Sequence, residues 1–256
     1  MATLVTFHAH PDDECINCGG VMRKAADEGH RVVLVVATRG ELGEVPDGFL
    51  DEGEQLWERR VKETHAVAEI LGAARVEFLG YTDSGMMGEP TNDAPGTFWT
   101  ADVEEAAGRL AAILREENAD VLTVYDDHGG YGHPDHIQVH RVGMRAAELA
   151  GTPRVYQATA NRDRIKRRSE VIEGVEVPDL GDDFGTPEAE LTTAVDVTKY
   201  AEVKRAAMRA HASQISEQSF FLAMSDDMFE LAFGTEWFIR VGAAPGIAEH
   251  DLMAGL

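Results

Sequence analysis

Asp120-Val121-Leu122-Thr123-Val124-Tyr125-Asp126-Asp127-His128-Gly129-Gly130-Tyr131-Gly132-His133-Pro134-Asp135-His136 changes character twice within one short stretch. Residues 120–125 read as a short buried strand. The three glycines let the backbone turn tightly, and Pro134 suits the first position of a helix. From Ile137 through Val139, Val142, Met144, Ala147 and Leu149 the apolar residues follow a roughly helical pattern. A cluster of three histidines, an aspartate and a tyrosine therefore falls at the carboxyl end of a strand, on the loop that opens the next helix. In open α/β sheets that is where ligands bind. The plainer reading is a polar loop with capping histidines.

Working outward, the pattern repeats. Strands are predicted near 3–8, 31–37, 74–79, 120–125 and 153–159, and helices near 19–29, 53–72, 101–118 and 134–150. The second strand is a nearly continuous Val/Leu run, as in a parallel sheet buried on both faces. Such alternation implies right-handed crossovers and an α/β doubly wound, mostly parallel sheet. A helix near 198–213 and a strand at 235–241 complete it. One domain over 1–256 is expected, with a core over 1–160, a surface excursion over 161–195 and a C-terminal completion over 196–256. Residues 80–100, carrying Gly80, Gly85, Gly88, Gly96, Pro90 and Pro95, form a long loop of the kind that serves a site. The basic run Arg162, Arg164, Lys166, Arg167, Arg168 reads as a solvated helix face.

Composition narrows the classes. The 256 residues suffice for a large core, and 44% hydrophobic with 27% charged residues fits a soluble globular chain. A formal charge of −23 argues against nucleic acid, because phosphate binding relies on Lys/Arg surfaces. No apolar run approaches eighteen residues, so no membrane span is expected, and without a signal-like N-terminus the expected location is cytoplasmic. A homo-oligomer is compatible with the sequence, which does not decide the point. Cys15 and Cys18 stand alone. A zinc ribbon needs two such pairs, and a zinc nucleobase deaminase needs a preceding His-x-Glu, so these are read as small buried residues.

The first strand leads into His8-Ala9-His10-Pro11-Asp12-Asp13-Glu14. Neighbouring side chains of Asp12 and Asp13 diverge, so one can bind a metal while the other faces the attacking water. With His10 and His136 this makes two imidazoles and one carboxylate, a set that suits catalytic Zn2+ and also fits Fe2+. Amide hydrolysis needs a nucleophile, charge stabilisation and a proton for the amine. A metal supplies the first by lowering the pKa of water to about 7. Caps for the following helix are the plainer role for either acid alone. No Gly-x-Ser-x-Gly elbow favours a serine hydrolase, and no Gly-x-Gly-x-x-Gly follows the first strand to suggest a dinucleotide site.

Ala9-His10-Pro11-Asp12-Asp13-Glu14 with Gly19-Gly20, together with Gly130-Tyr131-Gly132-His133-Pro134-Asp135-His136, resembles the LmbE-like/PIG-L superfamily of metal-dependent N-deacetylases, whose fold is Rossmann-like. Thr38 to Gly43, Asp83-Ser84-Gly85-Met86, and Lys204 with His211-Ala212-Ser213-Gln214 look like its mycothiol branch. That branch includes an N-acetylglucosaminyl-inositol deacetylase and a mycothiol S-conjugate amidase. The resemblance implies a metal on His10, Asp13 and His136, and Asp12 as general base. It implies that His133 and Tyr131 support the oxyanion or the leaving group, that Asp135 orients a ligand, and that Arg60 and Asp83 bind sugar or inositol. The resemblance also has His211 line the pocket; as an oxyanion donor His133 is expected to act protonated, and Trp99, at the end of the long loop, is the expected sugar platform. Either Asp12 or His133 is left to protonate the departing amine.

The expected activity is hydrolysis of the amide of an N-acyl amino sugar, with N-acetylglucosaminyl-inositol or a related molecule favoured. The lysine associated with the S-conjugate amidase is missing after Glu14, where Cys15-Ile16-Asn17-Cys18 stands instead, and Gly132 also looks more like the deacetylase. An S-conjugate amidase, a natural-product deacetylase and a non-catalytic metal- or sugar-binding module are the alternatives. His140, one turn after His136, shares its helix face and is a further candidate ligand.

Overall fold

A computed structural model describes residues 1–169 and 184–256. Strand β1 (Thr3–His8) leads through helices α1 (Asp13–Asn17) and α2 (Gly19–Asp27) to β2 (Arg31–Val36). Helix α3 (Leu56–Leu71) and β3 (Arg75–Phe78) follow, then α4 (Val103–Glu116) and β4 (Val121–Tyr125). The glycine turn α5 (Gly129–Gly132) opens α6 (Pro134–Ala150), which returns to β5 (Arg154–Thr159) and α7 (Arg162–Ser169). Past the undescribed residues come β6 (Thr193–Asp196), α8 (Ala201–Ala210), α9 (Asp226–Phe233) and β7 (Thr235–Arg240). The strands form one sheet in the order β3-β2-β1-β4-β5-β7-β6. The first five are parallel, and β7 runs against both its neighbours.

Period-two alternation builds two cores from the same strands. Leu4, Val32, Leu34, Val36 and Val121 face one layer, where they meet Val21 and Met22 of α2, Val67 and Leu71 of α3, and Ala207 and Met208 of α8. Val5, Phe7, Val33, Val35, Leu122 and Val124 face the other, against Leu110 and Leu114 of α4 and Val139 and Val142 of α6. Each such buried side chain contributes about 1.5–3 kcal/mol relative to exposure, which is why the central strands carry no polar face. Helix α6 lies so close to β4 that a Cβ on Gly143 would sit 2.3 Å from Val124 Cγ1.

The order reverses at β1, with β2 on one side and β4 on the other. The loops leaving the carboxyl ends of β1 and β4 therefore diverge around a crevice, and both polar clusters stand on those loops. Tyr125 at the end of β4 ties the two ends together: its hydroxyl lies 3.0 Å from His8 Nδ1 and accepts the Ala9 N–H at 3.3 Å.

The excursion expected over 161–195 differs in part. Residues 162–169 are helical, 170–183 lie outside the described residues, and residues 193–196 are an edge strand with Leu191, Thr193 and Val195 buried. A four-residue strand is too short to declare a period. Near 198–213, a 3-10 turn at Thr198–Tyr200 precedes α8, which stops before His211. Among the described residues no helix is long and apolar enough to cross a membrane.

Candidate active site

Helix α1 starts at Asp13, and the residue before it has an unusual backbone. Asp12 adopts φ 114° and ψ −30°, a region that strains a residue carrying a Cβ. Such conformations cost about 1–3 kcal/mol and persist where surroundings enforce them. Here the Asp12 N–H donates to Glu14 Oε2 at 3.0 Å, and its carbonyl accepts the Cys15 N–H at 3.2 Å. The His10 N–H donates to Asp13 Oδ2 at 2.9 Å, folding the loop back on itself. Asp12 and Asp13 consequently diverge, as expected.

From the other strand, Gly129 makes the approach to α6 possible. It sits at φ 67°, and a Cβ there would come within 2.7 Å of both His136 Cβ and the Ile137 nitrogen. Pro134 occupies the first turn of α6, and the His133 side chain caps it by accepting the Asp135 N–H on Nδ1 at 3.1 Å. This places His136 facing β1.

The two loops bring His10, Asp13 and His136 together. Asp13 Oδ2 lies 3.5 Å from His10 Nδ1, and Asp13 Oδ1 lies 3.4 Å from His136 Nε2. Asp13 thus meets one imidazole with each of its oxygens, and among the described residues one atom each of His10, Asp83 and Asp135 also lies within 4.8 Å of the others. His10, His133 and His136 also have ring nitrogens within 4.8 Å of one another. His133, however, has spent the lone pair of Nδ1 on a backbone N–H, which leaves a hydrogen on Nε2 and no free electron pair. Asp13, Asp83 and Asp135 are all buried and all face His10. Buried carboxylates in that number require positive charge nearby. Burial works against the His10 cation, yet the hydrogen bonds it donates to Asp13, Asp135 and Asp83 raise its pKa well above the ordinary value. Burial likewise raises Asp13, but His136 and His10 bring it well below the carboxylate range. A divalent ion would take over that role.

Asp135 orients this arrangement. Its Oδ2 lies 3.1 Å from His10 Nε2, the ring nitrogen opposite the one facing Asp13, a common hydrogen-bond arrangement behind a metal-bound imidazole. Ser84 holds Asp135 in turn, through its N–H at 2.9 Å and its Oγ at 2.5 Å. Asp83 stands 3.5 Å from His10 Nε2 and accepts the Gly85 N–H. It is 5% exposed, and although burial opposes it, His10 holds its carboxyl below the ordinary value. Ser84 carries no sequence signal of its own beyond its place in the Asp83-Ser84-Gly85-Met86 stretch.

Asp12 is the carboxylate left over. Burial pushes it up to about 6; the Arg60 guanidinium opposes that rise and the neighbouring Asp13 adds to it. Arg60 Nη2 lies 3.3 Å from Asp12 Oδ2, while its other hydrogen bonds go to the carbonyls of Gly40 and Pro11. Arg60 is 3% exposed, and these bonds tie its guanidinium to the loop that carries Asp12. His211 is likewise fully buried, with Nε2 2.5 Å from Glu14 Oε1. It was expected to line the pocket; in the structure it packs inside, against Glu14. Burial disfavours both charges, but each partner stabilises the other: Glu14 falls below and His211 rises above its ordinary value.

His133 also departs from expectation. Burial, with His10 and His136 close by, brings it down to about 4. Its capping bond to the Asp135 N–H needs a bare Nδ1, so the ring is a neutral Nε2–H donor and not an imidazolium. Tyr131 hangs over the same space, half exposed, with its hydroxyl 3.5 Å from His136 Nε2. His140 turns away: its Nδ1 meets the Tyr125 carbonyl at 3.0 Å. Trp99 has Arg141 4.8 Å over its ring, which covers one face of the expected sugar platform. Cys15 and Cys18 are buried thiols.

Comparison with known proteins follows the same lines. The family model PIG-L, described as GlcNAc-PI de-N-acetylase, matches residues 5–147. A 1D-myo-inositol 2-acetamido-2-deoxy-alpha-D-glucopyranoside deacetylase of Nocardiopsis dassonvillei is 44% identical, over 97% of this chain and 99% of its own. One of the same name from Geodermatophilus obscurus is 41% identical, over 99% and 97%. Among solved structures, a deacetylase–teicoplanin complex from teicoplanin biosynthesis superposes with a TM-score of 0.63 at 17% identity, covering 94% of this chain and all (100%) of that one. At that identity the likeness concerns the fold.

Proposed function

The chain belongs to the PIG-L family of de-N-acetylases, and from that premise we propose that it hydrolyses the N-acetyl amide of an N-acetylglucosaminyl-inositol. The observation that carries the chemistry is Asp12: a second carboxylate beside the ligand set, raised to about 6, with no part in the metal contacts. Simple metal or sugar binding does not call for such a group. The substrate rests on the names of the relatives, which the chain matches over nearly their whole length.

His10, Asp13 and His136 would hold the ion, with Zn2+ the choice for two imidazoles and one carboxylate. When bound, it would polarise the amide carbonyl and make a nucleophile available near neutral pH. Asp12 takes the proton of the attacking water, a task for which a pKa near the working pH is favourable. His133 Nε2–H and the Tyr131 hydroxyl donate to the carbonyl oxygen as it gains charge. One such donor is worth roughly 2.7–4 kcal/mol. A neutral His133 whose Nδ1 is committed to the backbone has no second proton to spare. Asp12, protonated in the first step, therefore returns the proton to the nitrogen as the C–N bond breaks, giving acetate and the free amine. Asp135 and Ser84 keep His10 aligned, and Asp83, 3.5 Å from His10 Nε2, is the carboxylate assigned to the sugar or inositol.

The test is amine release from N-acetylglucosaminyl-inositol, N-acetylglucosamine and a mycothiol conjugate by zinc-reconstituted protein, beside Asp12→Ala. Turnover of the first, lost by at least a thousandfold in Asp12→Ala at unchanged zinc content, is expected. Survival of turnover in that variant, or full activity in metal-free protein, would sink the mechanism. Preference for the conjugate would move the substrate to the amidase class.

A further inference from the structure

The chemistry above leaves the buried pair of Glu14 and His211 unused. Glu14 and His211 are both 0% exposed, 197 residues apart in sequence, and joined at 2.5 Å. The oxygen of Glu14 that His211 does not hold accepts the N–H of Asp12 at 3.0 Å. Asp12 is the residue whose backbone lies in the left-handed half of conformational space, at φ 114°. A peptide left to itself would relax out of that conformation and swing the carboxylate with it.

We propose that Glu14 and His211 act as a positioning clamp that holds the strained Asp12 peptide and so aims the Asp12 carboxylate into the pocket. Three features of the surroundings fit a clamp. Arg60 grips the same turn from the opposite side, at the Pro11 carbonyl and Asp12 Oδ2. The segment carrying His211 is itself anchored: the Ser213 N–H and hydroxyl donate to Glu63 of α3 at 2.9 and 2.6 Å. One helix length earlier, Lys204 of α8 donates to the Ile16 carbonyl of α1 and to Glu236. The C-terminal segment thus grips the catalytic loop at two places, although the region matched by the family model ends at residue 147. A charged pair suits the task, because hydrogen bonds to ionised groups are shorter and about twice as strong as neutral ones. Neither side chain needs to touch substrate.

The inference rests on Asp12 being the base, and the experiment separates the two. Zinc-loaded wild type, Asp12→Ala, His211→Leu, His211→Gln and His211→Asn are compared for kcat, KM, zinc stoichiometry and melting temperature. A misplacement of about 1 Å at a reacting group can cost on the order of a hundredfold. His211→Leu is therefore expected to lose 10- to 100-fold in kcat with KM and zinc content unchanged. His211→Gln, which keeps an N–H donor of similar reach, should recover to within about threefold of wild type. If the leucine protein does not fold, the decision passes to Gln against the shorter Asn, with Asn at least tenfold slower. Equal kcat in Gln and Asn, wild-type kcat in Leu, or a loss that tracks zinc content would overturn the clamp. An active Asp12→Ala would instead overturn the base on which it rests.

Discussion

Arg60→Met tests whether this arginine serves the base or the substrate. In the structure its guanidinium lies 3.3 Å from Asp12 Oδ2 and is 3% exposed. An arginine at that range typically lowers a carboxyl pKa by about 1–3 units. Asp12 acts deprotonated, so kcat/KM should rise with pH along an acidic limb at or below about 6 in wild type. Removing the positive charge disfavours the carboxylate and moves the limb upward, to roughly pH 7–9. At pH 7 the base form would fall from about nine-tenths to between a half and a hundredth, a loss of about 2- to 100-fold in kcat/KM. A bound cation lowers the limb of both proteins, so the difference between them survives metal loading. The assay is kcat/KM for amine release from pH 5 to 10, with Arg60→Lys alongside. The lysine keeps the charge but cannot bridge the carbonyls of Gly40 and Pro11 together with Asp12. Its limb should stay near wild type while its melting temperature falls. Recovery of Arg60→Met at high pH is the expected signature. A pH-independent loss with raised KM and an unmoved limb would refute the pairing with Asp12 and return Arg60 to the substrate.

Two further outcomes follow from named contacts. Ser84→Ala removes the 2.5 Å hydroxyl contact that orients Asp135 behind His10; zinc affinity measured by competition with a chelator should weaken about 10- to 100-fold, and an unchanged affinity would mean Asp135 needs no such support. Lys204→Met leaves Glu236 buried without its ammonium partner, at 2.7 Å in the native pair; a loss of about 3–5 kcal/mol is expected in urea denaturation, and a loss under 1 kcal/mol would show that the Gly20 and Val21 N–H groups alone satisfy that carboxylate.

Most of the sheet was legible because β2 is a nearly continuous Val/Leu run and β1 and β4 are short, largely apolar segments rich in β-formers. Helix α6 declared itself through its period, through Pro134 in its first turn and through Gly151 at its end. The edge strand β6 and the short helices α1 and α9 escaped notice. Helices α1 and α9, of five and eight residues, fall short of the window of about 11–18 residues in which a helical period shows, and β6 depends on partners distant in sequence.

The active-site residues divide along the same line. Sequence alone pointed to the chemical groups on which the proposed reaction rests. His10, Asp12, Asp13, His133 and His136 crowd onto two short loops at strand ends, and a doubly wound fold directs such loops to one crevice. The protonation of His133, the burial of Arg60 beside Asp12, and the pairing of Glu14 with His211 were decided only by the tertiary structure. Each depends on a contact between segments or on a helix-capping geometry: a backbone N–H aimed at one ring nitrogen, a guanidinium closed under a loop, an imidazole brought across 197 residues. Residue type specifies what a group can donate or accept. The distance, burial and charge that set which of those capacities is used come into being when the chain closes around it.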